Sequence, residues 1–344
     1  MVDLNLRSAP PMRRSRRVPD FIIAGAMKCG TTSLHRILAA HPRIFIPSRE
    51  IHYFDIDDIT QHPDFFFHDG ERWHRPDLRN REHDYRDWYA GFFEAARPDQ
   101  VIGEDSTTYL ASTLAPQRIA NAGKMIRIIV MLRDPADRAW SHYWHLVRTG
   151  RATHSFEQTL QRDPCSVLLR SQYKSQIENF LRYLSRERLH FIVFEDFVGD
   201  IAAWTRNACA FLGVDPDLII DSETHAHANE GSFPRHPGLH LWRNRLLRDR
   251  AMARYREHLI DVPARHASHL ARVIENAHSF LNPLKTRDRP RMRAETRRML
   301  DDYFFTQNAG LSDLIGIDVE RRWYHSAEFP QATTPRTGCS AVRV

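Results

Sequence analysis

The chain has 344 residues, a formal net charge of +6 and a sequence pI of about 9.3. Its charged and apolar fractions are those of a globular protein with room for one large domain or two small ones. No apolar run approaches the length of a transmembrane helix. The basic charge favours an anionic partner, and because no nucleic-acid-binding motif is present, we expect no nucleic-acid partner.

The two ends of the chain differ in composition from the part between them. Residues 1–18 carry five arginines and no long apolar segment follows, so they predict a flexible basic leader rather than a secretory signal. Residues 326–344 are rich in proline, threonine and serine and predict a disordered tail. Residues 19–325 are expected to form a single domain.

The chain is organised around residues 21–33, which read FIIAGAMKCGTTS. The apolar run from Phe21 to Ala24 fits a buried parallel strand. A glycine-containing loop with Lys28 follows, and a helical pattern opens at Thr31 and ends before Pro42. Free backbone N–H groups at a helix N-terminus favour an oxyanion. The stretch therefore predicts a phosphate cradle; a plain strand-to-helix turn is the alternative interpretation.

The spacing of this loop departs from that of a nucleoside-triphosphatase P-loop. The pattern G-x-x-x-x-G-K-[ST] places the lysine directly after the second glycine. Gly25 and Gly30 have the required separation, but Thr31 follows them and the lysine lies earlier, at Lys28. A P-loop kinase acting on a small hydroxylated substrate, with Mg²⁺ and ATP, is thereby weakened but stays open.

The next stretches hold charged residues set among apolar ones. Arg49 and Glu50 lie between apolar residues, and His52 follows. A surface glutamate paired with Arg49 is the alternative interpretation of Glu50. Residues 60–86 are polar and aromatic and predict an ordered surface excursion. Residues 101–109 begin as a strand and continue as Gly-Glu-Asp-Ser.

A second phosphate contact is predicted further along. An apolar strand ends at Arg133; Asp134 fits a helix N-cap and Pro135 the first helical residue. Ser141 lies seven residues after Asp134, so it shares that helix face two turns on. Arg133 and Ser141 can therefore hold one anion together.

The remainder of the chain alternates helical and apolar patterns. Helices are predicted within 155–184, 201–212 and 239–277, and a strand within 189–194. This alternation independently predicts an α/β fold with a central parallel sheet flanked by helices. The basic run 285–298 can receive an acidic acceptor, or it is simply exposed charge.

No metal site is expected from the cysteines or histidines. Cys29, Cys165, Cys209 and Cys339 are far apart and form no C-x-x-C pair. His225 and His227 form an H-x-H pair without a third spaced ligand. Cys29 lies in the cradle, but no ordered base that would make it a nucleophile is evident.

The cradle and the Arg133 stretch together resemble the sulfotransferase family, in the same order and about a hundred residues apart. The resemblance implies a single-domain, P-loop-NTPase-like sulfotransferase fold. It also implies binding of PAPS (3′-phosphoadenosine 5′-phosphosulfate), with PAP (the 3′,5′-bisphosphate) as product and no required metal. The residues that match the family's nucleotide contacts are Lys28, Cys29, Gly30, Thr31, Thr32 and Ser33 for the 5′-phosphosulfate, Arg133 and Ser141 for the 3′-phosphate, and, more loosely, Tyr173 and Arg235.

The resemblance also implies catalytic roles. Glu50 matches the family's catalytic carboxylate, with His52 as a rival base and His142 or His145 as more distant ones. Lys28 is expected to neutralise the bridging oxygen. Two positions depart from the family pattern: Arg49 replaces a lysine, and Asp105 stands where related glycan enzymes often have lysine. Tyr173 fits a core aromatic equally well.

The expected acceptor is a hydroxyl, or less readily an amine, of a carbohydrate, glycolipid or small secondary metabolite. Animal Golgi sulfotransferases carry a membrane anchor and this sequence shows none, so a cytoplasmic location is expected. A non-catalytic nucleotide- or polyanion-binding protein is the remaining alternative. The sequence carries no expectation for the oligomeric state.

Overall fold

A computed structural model describes residues 17–219, 231–253, 269–286 and 290–324. Most of the predicted leader, the tail and the His225–His227 pair lie outside these ranges. The end of the leader does not behave as expected: the Arg17 guanidinium donates a hydrogen bond to Phe93 O at 3.3 Å and a second one to Ala96 O. Arg17, near the end of the predicted leader, therefore contacts the domain.

Strands and helices alternate along the chain. The strands are β1 (Phe21–Gly25), β2 (Ile44–Phe45), β3 (Phe67–His68), β4 (Trp73–His74), β5 (Val101–Asp105), β6 (Arg127–Leu132), β7 (Leu189–Val193), β8 (Phe233–Pro234) and β9 (Leu284–Lys285). The helices are α1 (Thr31–Ala39), α2 (Glu82–Gly91), α3 (Ala115–Ala120), α4 (Pro135–Arg148), α5 (Phe156–Arg162), α6 (Cys165–Leu168), α7 (Tyr173–Leu181), α8 (Phe194–Gly199), α9 (Ile201–Leu212), α10 (Pro237–Ala253), α11 (His269–Leu281), α12 (Ala294–Gln307), α13 (Leu311–Ile315) and α14 (Glu320–Trp323).

Five parallel strands form the central sheet, in the order β2-β5-β1-β6-β7. β1 lies in the middle, and all five of its residues are buried. A strand covered on both faces reads as a continuous apolar run, which is why residues 21–24 carried a strong signal. The predicted α/β fold with a central parallel sheet is confirmed.

The topology brings distant stretches of chain to one edge. β1 pairs with β5 on one side and with β6 on the other. Because parallel strands end at the same edge, the segments that follow these three strands are neighbours in space. The cradle, the residues after Asp105 and the Arg133 turn therefore meet there.

The turn after β6 is fixed as predicted. Asp134 caps α4, because its Oδ1 accepts a hydrogen bond from Asp137 N at 2.8 Å, a contact worth about 1 kcal/mol. Asp134 N in turn donates to Glu195 Oε1 at 3.0 Å, and Arg297 pairs with Asp134 Oδ2 at 2.5 Å. One face of α4 packs into the core, where Trp140, Tyr143, Trp144 and Val147 are all buried.

The excursion 60–86 is ordered, as expected, but only its first part reaches the sheet edge. It contains the antiparallel β3–β4 hairpin, and Trp73 at the end of that hairpin is 61% exposed.

In the described part of the chain, no helix combines the length and the apolar character needed to cross a membrane.

Candidate active site

A cleft of about 980 Å³ opens at the C-terminal edge of the sheet. It is large enough for a nucleotide-sized ligand with space beside it. The cleft gathers most of the residues that the sequence singled out: Lys28, Gly30, Thr31, Thr32, Ser33, Glu50, His52, Arg133 and Ser141 all line it.

The cradle is formed by the backbone between β1 and α1. Lys28 and Gly30 both adopt left-handed conformations, with φ of 72° and 89°. The first helical hydrogen bonds run from Ser33 N and Leu34 N to Gly30 O, at 3.0 and 3.2 Å. The N–H groups of Thr31 and Thr32, which precede these bonds, therefore have no partner within the helix and are available to an anion.

The floor of the cradle is the ring of Phe194, the first residue of α8. A Cβ atom on Gly30 would lie 2.9 Å from Phe194 Cδ2, closer than side-chain carbons approach one another. The guanidinium carbon of Arg133 lies 4.6 Å from the centroid of the same ring. One aromatic side chain thus supports both the cradle and the predicted 3′-phosphate contact.

Lys28 projects into a strongly cationic environment. Burial, together with the charges of Arg148 and Arg133, lowers its pKa to about 8. Among the described residues, the ammonium group has no carboxylate within ion-pair distance. An anion placed between these cations would relieve their mutual repulsion, which fits a phosphosulfate group.

Arg133 has an unused donor. Its side chain is buried, Nη1 donates to Lys28 O at 3.4 Å, and Nε has no hydrogen-bond partner among the described residues. A buried donor without a partner costs free energy, so a ligand oxygen is expected to complete it. With Ser141 on the facing side of α4, Arg133 fits the phosphate contact predicted for it.

Glu50 lies on the other side of the cleft and is held by Thr107. Thr107 N donates to Glu50 Oε2 at 3.3 Å, and Thr107 Oγ1 donates to the same oxygen at 3.0 Å. Desolvation by the surrounding protein and then the Asp105 carboxylate raise the pKa of Glu50, which makes it a stronger base than a surface glutamate.

Arg49 does not neutralise Glu50. Its guanidinium carbon lies 4.9 Å from the centroid of the Phe92 ring instead. This packing argues against the interpretation of Glu50 as one half of a surface ion pair.

His52 is adjacent to Glu50. Its Nε2 lies 3.4 Å from Glu50 Oε2, and its Nδ1 lies 3.0 Å from Thr108 Oγ1. His52 also has a φ of 61°, a left-handed conformation that costs a residue with a Cβ atom about 1 kcal/mol or more. The structure therefore places the two candidate bases side by side.

The two more distant histidines have different surroundings. His145 lines the cleft, but burial and the Lys28 charge lower its pKa to about 3, so it is neutral at physiological pH. His142 is buried beside Arg138, with Nδ1 3.5 Å from the guanidinium, and burial lowers its pKa well below the usual value. Neither is a better base than Glu50.

One group of side chains has the spacing to hold a metal ion. Within the described ranges, donor atoms of His52, Asp55 and His62 lie within 4.8 Å of one another. Two of these groups already pair, since His62 Nε2 lies 2.8 Å from Asp55 Oδ1. That no metal is required stays a prediction.

Three arginines in the cleft escaped the sequence analysis. Arg148 lies seven residues after Ser141 on α4, so helical spacing carried a usable signal for it. Arg151 follows and pairs with Asp64 Oδ2 at 2.6 Å. Arg170 donates to Gln61 O at 3.1 Å, and burial lowers its pKa to about 10. Its place in the cleft depends on long-range packing and had no local signal.

The structure does not bring three predicted nucleotide contacts to the cleft. Cys29 is buried, its N donates to Ala26 O at 3.2 Å, and burial raises the pKa of its thiol to about 11. Tyr173 is a core aromatic whose OH donates to Arg133 O at 2.9 Å. Arg235 is exposed and its N donates to Pro283 O at 3.2 Å. Cys29 and Tyr173 therefore support the site from beneath.

The match to a known family fits this geometry. The family model described as "Sulfotransferase family" matches residues 19–217. This match covers the cradle, the Glu50 loop and the Arg133 turn, and it extends over more than half of the chain. The chain belongs to the sulfotransferase family.

Individual relatives are 25–30% identical to this chain over the aligned residues. Mouse heparan sulfate glucosamine 3-O-sulfotransferase 3B1 is 28% identical over 228 residues, which are 64% of this chain and 52% of the relative. Human bifunctional heparan sulfate N-deacetylase/N-sulfotransferase 3 is 30% identical over 220 residues, which are 58% of this chain and 23% of the relative. The chain thus spans about half or less of the length of these relatives.

A solved structure matches more of the chain. The sulfotransferase from Alicyclobacillus acidocaldarius is 27% identical, with a TM-score of 0.58 over 88% of this chain and 97% of that chain. The P-loop-like sulfotransferase fold predicted from the sequence is thereby confirmed.

Proposed function

We propose that this protein transfers the sulfuryl group of PAPS to a hydroxyl of a carbohydrate, glycolipid or small metabolite and releases PAP. The observation that carries the proposal is the composition of one cleft. One side of the cleft has a helix N-terminus and two cations that can still bind an anion, Lys28 and Arg133. The other side has Glu50, a carboxylate whose pKa is raised.

The cationic side of the cleft fits the nucleotide. Thr31, Thr32 and Ser33, with the first-turn N–H groups, would hold the 5′-phosphate, and Arg133 with Ser141 would hold the 3′-phosphate. PAPS supplies an activated sulfuryl group on a phosphate that leaves readily. Lys28 would stabilise the negative charge that develops on that phosphate.

The carboxylate side fits the acceptor. As the acceptor oxygen forms its bond to sulfur and the bond from sulfur to the bridging oxygen breaks, Glu50 would accept the hydroxyl proton. Sulfuryl transfer, like phosphoryl transfer, depends mainly on positioning and on charge stabilisation. His52, beside Glu50, can share the proton once it has been accepted.

A carbohydrate is the first acceptor to test, because the relatives are named as heparan sulfate enzymes. The arginines that line the cleft beyond the nucleotide contacts are compatible with a sugar that carries anionic groups. A cytoplasmic location stays a prediction, which cell fractionation tests.

Calorimetric titration with PAP tests the proposal first, with AMP and with ATP plus Mg²⁺ as controls. We expect tight, metal-independent binding that requires the 3′-phosphate. Preference for ATP with Mg²⁺ would instead support the kinase alternative. Turnover is then measured as PAP formed from PAPS with N-sulfated heparan oligosaccharides, a glycolipid and 4-nitrophenol as probes. Binding of PAP without turnover of any probe would favour a non-catalytic nucleotide-binding protein.

A further inference from the structure

A buried carboxylate that forms no ion pair with any described residue lies behind the catalytic loop, residues 50–54. Glu104 on β5 is fully buried and accepts three hydroxyl hydrogen bonds. Ser106 Oγ donates to Oε1 at 2.7 Å and Tyr109 OH donates to Oε1 at 2.5 Å. Tyr89 OH donates to the other oxygen, Oε2. The sequence drew attention to this stretch as Gly-Glu-Asp-Ser but assigned Glu104 no role.

Two of these three hydroxyls also hold the catalytic loop. Ser106 Oγ accepts hydrogen bonds from Ile51 N at 3.2 Å and from His52 N at 3.0 Å. Tyr109 OH accepts a hydrogen bond from Phe54 N at 3.1 Å. The loop that carries Glu50 and His52 is thus tied through hydroxyl groups to the segment that follows β5.

The direction of these bonds depends on Glu104. A hydroxyl has one proton to donate and two lone pairs that accept, whereas an ionised carboxylate only accepts. Ser106 and Tyr109 both donate their hydroxyl hydrogen bonds to Glu104. The lone pairs of both hydroxyls are therefore free to accept hydrogen bonds from the loop N–H groups. Without an acceptor at this position, either hydroxyl could rotate its proton toward the loop and lose the contact.

We infer that Glu104 is a positioning residue that fixes the catalytic loop through Ser106 and Tyr109. The left-handed conformation of His52 makes the loop depend on such ties, since a residue with a Cβ atom leaves that conformation when nothing holds it. The inference rests on the proposed function in that Glu50, on this loop, is taken as the base.

Tyr109 and Tyr89 provide a matched pair for the test. Both donate to Glu104, but the described contacts tie only Tyr109 to the loop backbone. Full-length Tyr109→Phe and Tyr89→Phe variants are compared with the wild type and with Glu104→Leu. Glu104→Gln completes the set, because its amide oxygen can replace Oε1 as acceptor. The measurements are PAP affinity by calorimetry, PAP formation with the probe that the wild type turns over fastest, and amide hydrogen exchange of the catalytic loop.

We expect Tyr109→Phe and Glu104→Leu to lower turnover about 10- to 100-fold with PAP affinity unchanged, because an error of about 1 Å in the base is this costly. Exchange at Phe54 should rise in both variants, and exchange at Ile51 and His52 should rise in Glu104→Leu. Glu104→Gln should restore part of the rate, and Tyr89→Phe should keep the wild-type rate and exchange. A purely structural carboxylate would instead give equal losses of stability in the two tyrosine variants and unchanged turnover.

Equal effects of Tyr109→Phe and Tyr89→Phe on turnover and loop exchange would overturn the inference. If Glu104→Leu does not fold, the tyrosine pair still decides. Failure of the proposed function has a different signature, since the wild type would then neither bind PAP nor form it. The hydrogen-exchange comparison tests the ties to the loop in that case as well.

Discussion

The two sides of the cleft are built in different ways. The cradle is local, since its lysine, glycine and hydroxyl residues lie within six consecutive positions, 28–33. The catalytic loop depends on distant partners: Thr107 holds Glu50 and Ser106 holds His52, each more than fifty residues further along the chain. A short sequence motif is therefore enough to predict the cradle. The catalytic loop cannot be predicted this way, because it depends on the strand order that brings β5 next to β1.

The two sides also differ in charge. On the cradle side, burial and neighbouring arginines lower the pKa of Lys28 to about 8. On the loop side, burial and Asp105 raise the pKa of Glu50. Each group is pushed toward its neutral form while the cleft lacks a ligand. A bound anion would restore the charge of Lys28. We therefore expect the cradle to determine PAP affinity and the catalytic loop to determine the rate of transfer.

The largest effect is expected from Glu50→Gln. It should lower turnover about 100- to 10,000-fold, the range typical of a lost general base, and leave PAP affinity unchanged. Steady-state rates and calorimetry measure the two quantities, and Glu71→Gln on the exposed hairpin is the control. Full activity of Glu50→Gln would move the base to His52.

Lys28→Ala should lower both turnover and PAP affinity. Removing one preorganised donor to a developing charge costs about 100- to 1,000-fold in rate. PAP affinity should fall as well, because the ammonium group contacts the ground state too. Lys124→Ala, which removes a lysine paired with Asp20 outside the cleft, is the control. Unchanged turnover would remove Lys28 from the mechanism.

Arg133→Ala should selectively weaken the binding of the 3′-phosphate of PAP. A charge-assisted hydrogen bond contributes about 1.5–3 kcal/mol, so the preference for PAP over AMP should fall about 10- to 100-fold. Arg186 is a matched control, because its guanidinium carbon lies 4.7 Å from the Phe191 ring, much as Arg133 lies against Phe194. If Arg133→Ala keeps the wild-type preference, the 3′-phosphate is bound elsewhere.

The smallest expected effect is a pH dependence of affinity. Lys28 binds an anion in its protonated form and has a lowered pKa of about 8, so PAP affinity should be highest below pH 8 and decline above it. The decline should be at most about tenfold per pH unit for one group, and phosphate ionisation near pH 6 does not interfere. Calorimetry from pH 7 to 9.5 measures it in a Glu50→Gln background, because the pKa of Glu50 is also raised to about 8. Adding Lys28→Gln to this background should give a flat profile.

Sequence reasoning succeeded where one local rule decides the structure. The β1 run, the start of α1 at Thr31 and the Asp134 cap each follow from a few consecutive residues. It failed where packing decides. Tyr173 fits a nucleotide contact or a core position equally well in sequence, and only the neighbourhood of Arg133 O selects the core.

Arg170 and Arg235 also show that sequence alone does not decide which arginines reach the cleft. Arg170 was not predicted to lie there but does, whereas Arg235 was predicted to and does not. Arg170 lies in a short helical turn between α6 and α7, and Arg235 directly follows β8. Arg170 reaches the cleft because its segment packs under α4, whereas Arg235 stays at the surface beside Pro283. No property of either arginine in isolation distinguishes these outcomes.

The ring of Phe194 limits how nucleotide preference in this protein can be redesigned. A larger residue at position 30 would displace the ring, and the ring supports the guanidinium of Arg133. A change meant to adjust the 5′-phosphate site would therefore shift the 3′-phosphate contact too. Directed evolution toward a donor without a 3′-phosphate should thus accept substitutions at Gly30 only together with a smaller side chain at position 194.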